Sequence, residues 1–192
     1  QESRGLGDVY KRQLLGRKGD GTAFDQTLAG KGGQAGQGMI SASGGSRIVV
    51  DAGDRNVTLR AYMGGDVTLL SGTLNLALEK ALGSVTDMTF NGGTLALNRM
   101  SQSLGAGSTL SLGSSSLSTL DFGGTAASGN VVMEAGHLGA WDENGTLIIK
   151  GWKGNIAGGG RSQFLLTGYG AASPTYIGNI SFEGYSTGAR IV

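Results

Sequence analysis

Cysteine is absent from the 192-residue chain, which excludes both a disulfide framework and a thiolate metal site. Proline occurs once, at Pro174, and histidine once, at His137. A single proline rules out collagen-like and proline-rich linker architectures. Charge is scarce as well, with 15 basic and 14 acidic side chains. Between Ala61 and Ile149 only Lys80 and Arg99 are basic, against seven acidic residues. Phosphate backbones are bound by clustered Lys and Arg, so nucleic acid is not expected as a partner. No apolar run approaches the roughly 18 residues of a bilayer span, and no membrane span is expected within the chain.

Glycine is abundant instead: 38 of 192 residues, where about 7% is ordinary. It punctuates short runs of Val, Leu, Ile and Thr, the pattern of strands separated by tight corners. Leu74–Leu78, Met88–Phe90 and Thr94–Asn98 fall within one 25-residue stretch, and the first and last alternate between apolar and polar positions. A strand built this way has one face for a core and one for solvent. Gly72-Thr73-Leu74 recurs as Gly93-Thr94-Leu95, 21 residues later. Further strands are expected at Ile48–Val50, Val57–Arg60, Val67–Leu70, Ser108–Leu112, Ser118–Phe122, Val131–Met133 and Gly145–Ile149, with a helical or 3₁₀ turn at Glu79–Leu82. The leading residues Leu74, Leu95, Leu110, Leu120 and Leu147 are unevenly spaced, which fits coils of roughly 20 residues with variable loops. The expected fold is therefore all-β: a β-solenoid of the right-handed parallel β-helix type. The tail holds Trp141, Trp152, Phe164, Tyr169, Tyr176, Phe182 and Tyr185, and reads as an aromatic, antiparallel C-terminal cap that closes the open end.

Four stretches follow from this pattern. Residues 1–13, QESRGLGDVYKRQ, share nothing with the rest, and Gly5–Gln13 resembles translated sequencing-adapter read-through, a non-native segment. Residues 14–45 form a Gly-rich irregular lead-in, 46–144 the solenoid coils, and 145–192 a C-terminal β cap that is expected to be truncated. GKGGQAGQG at Gly30–Gly38 lacks the order of a phosphate-binding loop, since Gly32 follows Lys31.

Candidate chemistry is thin. His137 lies near Glu134, Asp142 and Glu143, a set able to supply a base or a metal ligand, but it sits in a Gly-flanked turn without a spaced partner motif. Asp142-Glu143 with Asp121 or Asp87 offers the carboxylate pair of a glycosidase; before Asn144-Gly145 the same pair reads as a hairpin turn. Asp51, Asp54 and Asp66 flank glycines as turn residues do, and the Gly-Gly-x-Gly-x-Asp calcium repeat is missing. No catalytic residue, metal ligand or cofactor is assigned. Trp141 and Trp152 are the candidate sugar-stacking residues, with packing in the cap as the competing role.

Two resemblances rest on particular residues. Gly72-Thr73-Leu74-x-Leu76, Ala81-Leu82-Gly83 and Thr89-Phe90-Asn91-Gly92-Gly93-Thr94-Leu95 resemble the autotransporter-associated β-strand repeat of bacterial surface proteins. The segment Gly145-Thr146-Leu147-x-Ile149-x-Gly151-Trp152, then Phe164-Leu165-Leu166, then Ile180-x-Phe182-x-Gly184-Tyr185, is similar to the region preceding the sorting signal of PEP-CTERM proteins. These resemblances imply an exported protein of a Gram-negative-type bacterium, secreted or held at the cell surface or outer membrane. Its expected role is non-catalytic, structural or adhesive, with extracellular polysaccharide or cell-surface components as partners. The alternative is a carbohydrate-binding or carbohydrate-active β-helix protein.

Overall fold

The computed structural model describes residues 12–29, 38–42, 44–113, 117–123, 130–155, 157, 159–168 and 177–185, and the side chains of 12–14 lie outside that description. The described residues contain fifteen strands: β1 (Arg12–Leu15), β2 (Gln26–Ala29), β3 (Met39–Ser41), β4 (Arg47–Arg60), β5 (Tyr62–Leu76), β6 (Ser84–Phe90), β7 (Thr94–Ala96), β8 (Gln102–Ser103), β9 (Thr109–Leu112), β10 (Leu117–Asp121), β11 (Val131–Ala135), β12 (His137–Trp141), β13 (Thr146–Lys150), β14 (Ser162–Leu166) and β15 (Ile180–Phe182). Twelve form one curled sheet and β8, β11 and β14 a second, and every pairing between named strands is parallel.

The pairings sort the strands into three stacks. The first runs through β1, the start of β4, the middle of β5, then β6, β9 and β12. A second comprises β2, the ends of β4 and β5, then β7, β10, β13 and β15. The third holds β3 and the start of β5, and β8, β11 and β14. Long strands β4 and β5 bend from one stack into the next at register shifts near Asp51 and Gly65. In the second stack Val57, Leu74, Leu95, Leu120, Ile149 and Phe182 lie in register, separated by 17, 21, 25, 29 and 33 residues.

Alternation along each strand explains the packing. Ile48, Val67, Met88 and Leu110 are one buried row of the first stack, and Val50, Leu69, Phe90, Leu112 and Trp141 the next. Leu74, Leu95, Leu120 and Ile149 face them from the second stack, and Met63, Leu82, Leu104 and Met133 come from the third side. Burying each such side chain contributes on the order of 1.5–3 kcal/mol. A few polar side chains replace backbone partners where strands give way to corners. Gln102, 2% exposed, donates through Nε2 to the Leu78 carbonyl and accepts from the Leu82 amide through Oε1. Asn179 Nδ2 lies 2.9–3.2 Å from the Asp142, Glu143 and Gly145 carbonyl oxygens.

The tail departs from expectation. Instead of an antiparallel cap, β13 and β15 extend the second stack in parallel and β14 pairs in parallel with β11. Parallel pairing therefore crosses the expected boundary at 144/145, because Leu147, Ile149 and Ile180 bury the same alternating face as earlier strands. Asp142–Gly145 is a corner between adjacent stacks rather than a hairpin, with Asp142 Oδ1 accepting from the Asn144 amide at 2.9 Å. Arg12 and Gln13 open β1 opposite Arg47 and Ile48. Most of Gly30–Gly38 lies outside the described residues, as do Tyr169 and Tyr176.

Candidate functional site

The outward positions of the first stack place ionisable residues in line. Arg47, Asp66, Asp87, Thr109 and His137 occupy successive rungs. Asp66 accepts a hydrogen bond from Thr86 Oγ1 at 2.8 Å. Asp87 is an exposed residue, yet partial burial of its carboxyl, followed by the charge of Asp66 on the next rung, pushes that carboxyl above its ordinary value. His137 has Thr109 as its rung neighbour, and Gly168 lies against its ring, which a Cβ there would displace. Of the carboxylates near His137 in sequence, Asp142 is turned into the corner at Asn144. Among the described residues no group of three or more His, Asp or Glu side chains is placed to hold a metal ion.

A second charged arrangement ties β4 and β5 to the segment after β1. Arg17 Nη2 donates to Asp51 Oδ1 at 2.9 Å, and its Nε lies 2.8 Å from Oδ2. Ser71 Oγ donates to the same carboxylate at 2.6 Å and accepts from the Gly53 amide at 2.7 Å. The Arg17 hydrogen bond holds the Asp51 carboxyl below its ordinary value, against partial burial and with help from Ser71. These groups brace the corner between the first and second stacks.

That corner opens onto a groove of about 270 Å³ lined by Gly53, Asp54, Gly72, Thr73, Gly93, Thr94, Leu117 and Thr119. Gly53, Gly72 and Gly93 hold left-handed backbone at φ 60, 73 and 69°, the glycine-favoured region. A Cβ on Gly72 would lie 2.6 Å from both the Ala52 Cβ and the Arg55 carbonyl oxygen, so the corner is tight as well as left-handed. Thr73, Thr94 and Thr119 stand on paired rungs of the second stack. None of their hydroxyls forms a hydrogen bond among the described residues, and Thr119 is only 9% exposed. Leu117, 56% exposed, supplies an apolar wall.

The two tryptophans are placed apart. Trp141 is 7% exposed and stacks on Leu112 in the core row, so its ring has no open face for a sugar. Trp152 is half-buried against Phe182, with ring centroids 4.7 Å apart, and Tyr185, at 5.2 Å. Gly154 lies against its ring. The groove was not foreseen from sequence. Its signal was present in the 21-residue offset of Gly72-Thr73-Leu74 and Gly93-Thr94-Leu95, which also carries Asp66 onto Asp87.

Among the described residues no helix is long and apolar enough to cross a membrane. Comparison of the chain with protein-family models, curated proteins and solved structures gives no significant match.

Proposed function

We propose that the three stacks are the faces of a right-handed parallel β-helix, and that the chain is part of a non-catalytic, extracellular structural or adhesive protein of a bacterial surface. The observation that carries this reading is the repetition of outward side chains in register, one per coil, over a continuous aliphatic core. Such a surface offers the same small polar group at successive rungs about 4.8 Å apart. Weak contacts with a repeating partner then add through effective concentration. Support also comes from the order of strands, which passes from first to second to third stack and back repeatedly. The resemblance to autotransporter-associated repeats and to the PEP-CTERM tail points the same way, toward secretion and presentation at the cell surface.

Of the carboxylates that the carbohydrate-active alternative would use, Asp142 accepts from the Asn144 amide, Asp121 accepts from the Gly123 amide, and Asp87 has Asp66 as its rung neighbour. Glycosidases hold their carboxyls about 5 Å or more apart with the sugar between them. Asp66 and Asp87 stand on adjacent paired strands of one stack, about 4.8 Å apart, rather than across a cleft. The test is to immobilise the whole chain and measure retention of polysaccharides and bacterial cells, while following soluble-sugar release from the same polysaccharides. Retention without release is expected. Release that disappears in Asp87→Asn would overturn the non-catalytic reading.

A further inference from the structure

We propose that the corner groove between the first and second stacks is a binding site for a neutral, extended polysaccharide lying along the stack, a proposal that rests on the adhesive reading above. The groove crosses four successive coils, from Gly53 and Asp54 through Thr73 and Thr94 to Thr119. A ligand following it therefore meets a new rung about every 4.8 Å, a distance comparable to one sugar ring. Each of three rungs presents one hydroxyl with no partner among the described residues. Thr119 is 9% exposed, and its hydroxyl is not among the buried unpartnered atoms, so it opens to the groove it lines.

The chemistry of the lining selects the ligand class. Hydroxyls both donate and accept, as sugar hydroxyls do, and discriminate poorly among charged groups. Among the described residues no Lys or Arg lines the groove, and its carboxylate, Asp54, is paired with Arg55 at 3.4 Å, so the lining offers a phosphate or sulfate chain no free counter-charge. Leu117 offers an exposed apolar surface for the C–H face of a ring, in place of the usual aromatic platform. The left-handed glycines at Gly53, Gly72 and Gly93 leave the corner as bare backbone, tight against the neighbouring strands. The pattern is one of rungs and spacing, which a flexible or compact ligand cannot exploit.

The test uses the whole chain with neutral glucans and mannans, and an anionic polysaccharide for comparison, measured by affinity electrophoresis and titration calorimetry. Thr94→Val and Thr119→Val keep the β-branched shape and remove one hydroxyl each, while Thr68→Val and Thr89→Val make the same change on the outward row of the first stack. Neutral chains should bind, the groove variants should each weaken binding on the order of fivefold, and the Thr68 and Thr89 variants should bind as the parent does. Binding unaffected by the groove variants would overturn the site while leaving the adhesive reading intact. Preference for the anionic chain would overturn the ligand class. A parent chain that retains bacterial cells but binds none of the polysaccharides overturns the groove alone, and one that retains neither overturns both readings.

Discussion

At the scale of single residues, two aspartates respond to pH in opposite directions. Asp51 has its carboxyl lowered by Arg17. The folded state therefore favours its charged form, and the stability it contributes is present above the ordinary carboxylate value and lost as pH falls through the lowered one. Asp87 is raised, by partial burial and by Asp66. Here the folded state holds the proton more tightly, so stability falls as pH rises from the ordinary carboxylate value through the raised one. Asp87→Asn should accordingly raise the melting temperature at pH 7 and change it little at pH 3, whereas Asp51→Asn should lower it at pH 7. Thermal scans at both pH values check the pair, and added salt should shrink both effects. Gly72→Ala tests the corner: left-handed backbone alone costs about 1–2 kcal/mol for a residue with a Cβ. The contact with Ala52 adds to that. Urea denaturation reads the loss, and an unchanged midpoint would show that the corner relaxes. The partnership of Asp51 was not legible in sequence. Arg17 and Asp51 are 34 residues apart, and nothing local links them before the first coil closes.

At the scale of elements, alternation told which residues turn inward but not which stack a strand joins. Leu74, Leu95, Leu110, Leu120 and Leu147 look like one series in sequence. In the fold Leu110 belongs to the first stack, beside Met88, and the others to the second. Within the second stack Leu147 lies beside Ser118 and Ile180, one inward position from the row of Leu120 and Ile149, so the uneven spacing is three rows of two stacks read as one. Direction was misread in the tail for a related reason: aromatic residues suggested a different layer, yet Trp141 continues the row of Leu112 and Phe182 that of Ile149. Since Leu95 is fully buried between Leu74 and Leu120, Leu95→Ala should cost about 2–5 kcal/mol in chemical denaturation. Leu95→Asp should unfold neighbouring coils together, seen as loss of β-sheet circular dichroism. Leu117→Ser, on an exposed side chain of the same stack, should leave stability within about 0.5 kcal/mol.

At the scale of the whole molecule, contacts run mainly between neighbouring parallel strands, so stability is spread along each stack. Native-state hydrogen exchange should find the slowest amides in β5 and β6, which have paired strands on both sides. Exchange should be faster in β14 and β15, each of which has one paired neighbour among the named strands. Uniform protection throughout would mean that the stack opens only as a unit. The lengthening intervals of the second stack, four residues more at each step from Val57 to Phe182, bear on how such a chain finds its alignment. Near-identical repeats invite a strand to settle one turn too early or too late, because the apolar rows match either way. Here successive intervals differ, from 17 to 33 residues. A strand that pairs one neighbour too far must leave out an interval whose length is different at each level, so one slip cannot repeat itself along the stack.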